Sequence, residues 1–212
     1  MRLLLATRNR GKTAEIAAIL QGTGVQVLSL DDVPGEPPEV VEDGATFEDN
    51  AGKKALAVAR WAGMPALADD SGLVVPALGG EPGVHSSRYA GREGDSEANM
   101  DLLLERMADL PTSRRAAHFE CVMALASPDG RTWTSRGRVD RIIATGKAGK
   151  GGFGYDPVFF YTLAGKTFAQ MDIQEKNRVS HRSRALKALA GRWPEIMEEL
   201  GRGSEATSGK RL

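Results

Sequence analysis

The chain has 212 residues, 41% hydrophobic and 26% charged, enough to bury a substantial core in an ordinary water-soluble composition. Lys plus Arg and Asp plus Glu both count 28, so a net charge of zero gives no general attraction to DNA or another polyanion. The single cysteine, Cys121, excludes an intramolecular disulfide, and His85, His118 and His181 lack zinc-ligand spacing. The apolar run at the N-terminus is too short for a signal-peptide core or a membrane span, so the expected compartment is the cytoplasm.

In chain order, residues 2–6 read as a short buried strand, followed by a polar loop, Thr7 to Gly11. A helix is predicted from about Lys12 to Gln21, with Ile16, Ile19 and Leu20 on one face, then a strand over 25–28. The acidic stretch 31–45 contains Pro34, Pro37 and Pro38 and reads as irregular. Phe47, Ala51, Ala55, Val58 and Ala62 recur at helical spacing and predict a longer helix. Residues 65–69 and 73–75 read as strands around a turn, Asp70-Ser71-Gly72. A glycine-rich loop over 79–94 precedes a helix capped by Asp95 or Ser96 and running to about Asp109. Residues 116–126 and 131–143 flank Ser127-Pro128-Asp129-Gly130 and predict a long antiparallel hairpin. A second glycine-rich loop, 146–156, leads to a strand over 157–161, and helices at about 181–190 and 194–200 close a single domain, residues 1–200. The remainder, 201–212, has little apolar content and reads as a mobile tail. The order defines an α/β protein with a mixed sheet.

Five segments carry candidate chemistry. Thr7-Arg8-Asn9-Arg10-Gly11-Lys12 links a strand to a helix N-terminus, where backbone N–H groups favour an anion, although a polar turn with a solvated lysine would look the same. Gly11-Lys12-Thr13 resembles the end of a P-loop, but that motif needs glycine where Ala6 stands. Asp69, Asp70 and Ser71, read at a strand end, with Glu42 and Asp43 in the earlier loop, offer carboxylates for magnesium and for orienting water. Asp49 and Lys53 read as a surface pair four residues apart, whereas Asn50 and Lys54 lie nearer the apolar edge and can face a pocket. Gly151-Gly152-Phe153-Gly154-Tyr155-Asp156-Pro157 offers close backbone approach, an aromatic shelf and an acceptor for ring N–H groups. Lys176, then Ser180-His181-Arg182 with Ser180 as N-cap, places basic groups at a helix start, where they oppose the helix dipole unless a ligand needs them. Together these segments describe a nucleoside polyphosphate held with magnesium.

The residues Thr7-x-Asn9-x-x-Lys12, Asp49-Asn50-Ala51 with Lys54-Ala55, and Ala68-Asp69-Asp70-Ser71-Gly72-Leu73 occur in one order with four further motifs. Those are Gly79-Gly80-x-Pro82-Gly83, Ser87-Arg88-Tyr89, Gly151 to Pro157, and Glu175-Lys176-Asn177 ahead of Ser180-His181-Arg182. On these motifs the chain, from residue 1 to about 200, resembles the inosine triphosphate pyrophosphatase family. The resemblance implies two lobes flanking a substrate cleft, a homodimer, Mg2+ as cofactor, and no stable nucleic acid or membrane partner. It implies hydrolysis of ITP, dITP and XTP to the monophosphate and pyrophosphate, which removes deaminated purines from the nucleotide pool. By position, Thr7, Arg8, Asn9, Arg10, Gly11 and Lys12 would bind the triphosphate, and Asn50, Lys54, Ser71, Arg88 and Lys176 would contact substrate. Asp70 would be the catalytic base and a metal ligand, with Glu42, or its neighbour Asp43, the second. Phe153 would stack on the base, while Gly154, Tyr155, Asp156, His181 and Arg182 would line its pocket. Asp49 stands where the family often has glutamate. Two other readings remain: a pyrophosphatase for modified pyrimidine nucleotides, and a nucleotide-binding protein without catalysis.

Overall fold

A computed structural model describes residues 2–208, with side chains as far as Gly201. Seven strands and six helices occur among these residues: β1 Arg2–Leu5, α1 Arg10–Leu20, β2 Gln26–Leu28, α2 Phe47–Ala62, β3 Ala66–Val74, α3 Ser96–Arg106, β4 Ala116–Ala126, β5 Thr132–Ile143, β6 Phe159–Tyr161, β7 Lys166–Thr167, α4 Ile173–Val179, α5 His181–Ala190 and α6 Trp193–Ser208. The strands form one mixed sheet in the order β2-β1-β3-β4-β5-β6-β7. β1 pairs parallel with β2 and β3, whereas β6 pairs antiparallel with β5 and β7. β4 and β5 are sheet neighbours joined by residues 127–131, far too short a link for a parallel crossover, so they form the expected hairpin. The turn is closed by Ser127 N–H donating to Arg131 O at 2.9 Å.

The chain divides into two compact units. The first comprises the N-terminal segment through Asp69, Val122–Arg136 and the segment from Ala185; the second comprises Asp70–Cys121 and Gly137–Arg184. In the first unit Leu3, Leu4 and Leu5 of β1 are buried, as are Ile16 of α1 and Ala51 and Ala55 of α2. In the second, an aromatic run fills the core. Phe119 lies 4.5 Å from Phe159, and Phe159 lies 4.9 Å from Phe168 between ring centroids, both pairs tilted.

Several boundaries differ from those read in the sequence. β3 is one continuous strand, and Asp70-Ser71-Gly72 is not a turn. The turn preference of this tripeptide is local. It loses to the hydrogen bonds and burial that a strand gains between two neighbours, β1 and β4. Asp69 and Asp70 are accordingly buried inside a strand, not at its end. α1 starts at Arg10, two residues early, because Asn9 caps it. Helix α4 and strand β7 are additional, and both are too short to leave a period in the sequence. α6 runs on through Ser208, past the Gly201 at which the tail was placed, and residues 209–212 lie outside the described residues.

Arg115, just before β4, is buried with three backbone carbonyls around its guanidinium, and burial pushes its pKa down. Nε donates to Ile143 O at 2.9 Å and Nη2 to Ala144 O at 2.8 Å, while Nη1 donates to Met107 O at the end of α3. One side chain thus satisfies carbonyls at the ends of a strand and a helix, and its charge suits the negative end of the α3 dipole. Arg115→Met roughly keeps the volume but takes this donor from Ile143 O and Ala144 O, while Met107 O keeps the Leu110 N–H. It is expected to lower unfolding stability by about 3 kcal/mol, measured by urea denaturation, because each orphaned buried acceptor costs roughly 1–3 kcal/mol.

Candidate active site

In the first unit the site begins at the C-terminal end of β1. Asn9 caps α1, accepting from Lys12 N–H at 3.1 Å, and Thr7 Oγ1 accepts from Asn9 N–H at 3.1 Å. These side chains shape the loop as acceptors, where the sequence suggested donors. The N–H groups of Arg10 and Gly11 lie in the first turn, where no intrahelical partner exists, and Arg8, Asn9 and Arg10 are exposed beside them. No acidic side chain occupies that turn, so the helix dipole there is left for an anion.

Two lysines converge on Asp69. Lys12 Nζ lies 3.2 Å from Asp69 Oδ2, and Lys54 Nζ donates to the Asp69 carbonyl at 2.8 Å and to Glu42 Oε1 at 3.1 Å. Parallel pairing brings them together: β1 is matched to β3 only through Leu5–Leu67, so β3 runs past the end of β1 towards α1. Glu42 therefore belongs to this cluster. Asp43 turns to Lys53 at 2.6 Å, an exposed contact that holds its carboxyl below the usual range. Lys53 is thus taken by Asp43 in place of the expected Asp49, which caps α2 instead, accepting from Thr46 Oγ1 at 2.7 Å. Asn50 is buried and accepts from Gly44 N–H at 2.8 Å, so it anchors the loop that carries Glu42. A Cβ at Gly44 would fall 2.6 Å from Asn50 Oδ1, which leaves that position no room for a side chain.

In the second unit Asp70 is 6% exposed, and its Oδ1 accepts from Ser71 N–H at 3.0 Å. Ser71 Oγ accepts from Arg182 Nη2 at 2.9 Å. The loop Gly151 to Pro157 folds back on its own acid. Asp156 Oδ2 accepts from Phe153 N–H at 2.8 Å and pairs with Lys176 Nζ, both side chains being almost fully buried. Lys176 Nζ sits 4.7 Å from the centre of the half-buried Phe153 ring, and Arg182 Cζ sits 5.4 Å from it. Ser180 ends α4 and caps α5, accepting from Ser183 N–H at 3.1 Å. His181 and Arg182 then enter the first turn buried, not solvated, with His181 stacked on Phe119 at 4.7 Å.

Tyr155 belongs to the hydrophobic core, and its hydroxyl donates to Ser86 O at 2.9 Å. Burial pushes that hydroxyl's pKa well above the usual phenol range. Gly154 follows the shelf residue with φ +60°, and Arg88 is partly exposed near Glu93 at 3.9 Å. Within their units, then, Lys54 meets Glu42 and joins Lys12 at Asp69, whereas Lys176 pairs with Asp156, Arg182 holds Ser71, and both cations lie by the Phe153 ring. Phe119 and Ser86 were not singled out in the sequence; one is an ordinary strand apolar residue and the other an ordinary loop serine. Among the described residues no group of three or more His, Cys, Asp or Glu is poised to hold a metal ion, and no helix is long and apolar enough to cross a membrane.

The first unit of this mixed α/β protein thus carries a helix N-terminus without acidic side chains beside two lysines, and the second carries the Phe153 ring beside the buried Asp156–Lys176 pair. Residues 3–192 match the sequence model of the Ham1 family, and the chain belongs to that family. It is 52% identical over 188 residues to the dITP/XTP pyrophosphatase of Geobacter sulfurreducens, covering 89% of this chain and 94% of the relative. It is 51% identical over 198 residues to that of Syntrophobacter fumaroxidans, covering 93% of this chain and 84% of the relative. The solved structure of a HAM1 protein from Coxiella burnetii superposes with a TM-score of 0.81 at 38% identity, over 92% of this chain and 99% of that one.

Gly152 has φ +71°, and a Cβ there would fall 2.1 Å from Asp156 Oδ2. Gly152→Ala is expected to break the Phe153–Asp156 hydrogen bond and to cost about 1–3 kcal/mol. Faster amide exchange over 151–156 with a lowered Tm would register it.

Proposed function

We propose that this protein hydrolyses ITP, dITP and XTP to the nucleoside monophosphate and pyrophosphate, and so clears deaminated purines from the nucleotide pool. The observation that carries this reading is the convergence of Lys12 and Lys54 on Asp69, within the stretch of β3 that runs past the end of β1 beside the N-terminus of α1. Relatives named dITP/XTP pyrophosphatase at about half identity support the substrate class.

The first-turn N–H groups of Arg10 and Gly11, with Lys12 and Lys54, bind the triphosphate and offset charge on its oxygens and on the pyrophosphate leaving group. Glu42 and Asp70 are hard oxygen donors of the kind magnesium takes together with phosphate oxygens and water. Each would serve as a ligand from its own unit, and the ion when bound would neutralise phosphate charge. Asp70 accepts a proton from the water that attacks the α-phosphorus, held in orientation by its hydrogen bond from Ser71 N–H.

Base choice is assigned to the second unit. Lys176 offers a donor and Asp156 an acceptor, the pattern that a 6-oxo purine with a protonated N1 requires. Adenine presents the reverse, and a site with buried polar groups left unpaired rejects such an analogue by about 10⁴. Phe153 provides the stacking face. The same reading makes the protein a cytoplasmic homodimer.

The test is pyrophosphate release from ITP, XTP, GTP and ATP, with and without magnesium. Rapid metal-dependent release is expected from ITP and XTP and little from GTP or ATP, and faster turnover of dUTP or methylated pyrimidine triphosphates would move the reading to the pyrimidine class. Asp70→Asn is expected to lower kcat by roughly 10²–10⁴. Wild-type turnover in that variant would remove Asp70 as the base.

A further inference from the structure

Ser86 lies on a short 3-10 helix, Gly83–Arg88, outside every residue assigned above to substrate or catalysis. It is 8% exposed, and three hydrogen bonds meet at it. Its Oγ accepts from Leu73 N–H at 2.9 Å and donates to Gly83 O at 2.6 Å, and its carbonyl accepts from the Tyr155 hydroxyl at 2.9 Å. Leu73 belongs to β3, two residues beyond Ser71 and three beyond Asp70. Tyr155 belongs to the loop that presents Phe153 and Asp156. Ser86 therefore ties the strand of the assigned base to the loop of the assigned purine shelf.

A second path closes the circuit. Arg182 holds Ser71 Oγ with Nη2 and lies over the Phe153 ring at 5.4 Å. The loop is thus fastened to β3 on one side through Tyr155, Ser86 and Leu73, and on the other through Phe153, Arg182 and Ser71. Asp70 is next to Ser71 and takes its N–H. A purine that displaces the loop pulls on the segment that orients the base, because the Leu73–Ser86 and Tyr155–Ser86 bonds are buried and costly to break.

We propose that Ser86 is a positioning residue that couples purine recognition by the Phe153–Asp156 loop to the orientation of Asp70. The proposal rests on the pyrophosphatase reading and adds that discrimination between purines appears in kcat as well as KM. A serine that only shaped its own turn through Gly83 would leave the two segments independent.

The experiment compares the full-length wild type with Tyr155→Phe, Ser86→Ala and the double variant, at a temperature where melting curves show each folded. Tyr155→Phe keeps the ring in the core and removes only the hydroxyl. Hydrogen–deuterium exchange over 70–74 and 151–157 is read together with kcat and KM for ITP and GTP. In Tyr155→Phe, exchange is expected to quicken in both segments, although only one contains the substitution. kcat for ITP is expected to fall about three- to tenfold, the scale of one lost buried hydrogen bond, and the ITP-to-GTP ratio to shrink with it. The double variant is expected to be no worse than Ser86→Ala. Exchange confined to 151–157, with kcat and the ratio unchanged, would overturn the coupling. If Ser86→Ala does not fold, Tyr155→Phe alone decides. A wild type that releases no pyrophosphate would overturn the catalytic reading, and the exchange pattern would still decide the role of Ser86.

Discussion

Asp69, Asp70 and Ser71 are adjacent polar residues inside a strand that has a neighbour on each side, and the partners they require organise both units of this protein. A buried carboxylate is stable only when paired or hydrogen-bonded. Asp69 has no exposed side-chain surface and takes Lys12, while its carbonyl takes Lys54. Lys54 in turn holds Glu42, and Asn50 holds the loop on which Glu42 rides. Ser71 takes Arg182, which is 1% exposed and lies over Phe153. Three cations, Lys12, Lys54 and Arg182, thus satisfy the polar groups of this one strand.

A second buried pair, Asp156 with Lys176, does for the glycine-rich loop what Lys12 does for β3. The acid also takes the Phe153 amide, which fixes the aromatic ring relative to the lysine. Such a pair adds little net stability once desolvation is counted, but it defines one arrangement of donor and acceptor. That is the property a purine-selecting surface requires, since discrimination between bases depends on which polar groups remain unpaired. The loop is held at two further points: Tyr155 is committed to the core, and Gly151 N–H donates to Ala169 O at 3.0 Å.

The motifs were legible because their residue types carry chemistry that ordinary packing does not call for. Glycine clusters, adjacent aspartates and a basic pair at a helix start each stand out against the local pattern. The long elements were legible through periodicity, including α2 and the β4–β5 hairpin. Errors fell where local preference and tertiary context disagree. Asp-Ser-Gly favours a turn, yet it lies in mid-strand; the Asp49–Lys53 spacing favours a surface pair, yet Asp49 caps α2 and Lys53 meets Asp43.

The sequence by itself determined the α/β class and the order of the main elements, because these follow from short-range spacing and side-chain chemistry. Only the tertiary structure decided which side chains meet. It assigned Glu42, not Asp43, to the lysine cluster, turned Asp49 into a helix cap, and gave the Tyr155 hydroxyl to Ser86. Partner choice depends on parallel strand register and on loops that return from 69 residues away, as between Tyr155 and Ser86. No local pattern encodes such distances, because each partner's type is common and its position is set by the fold.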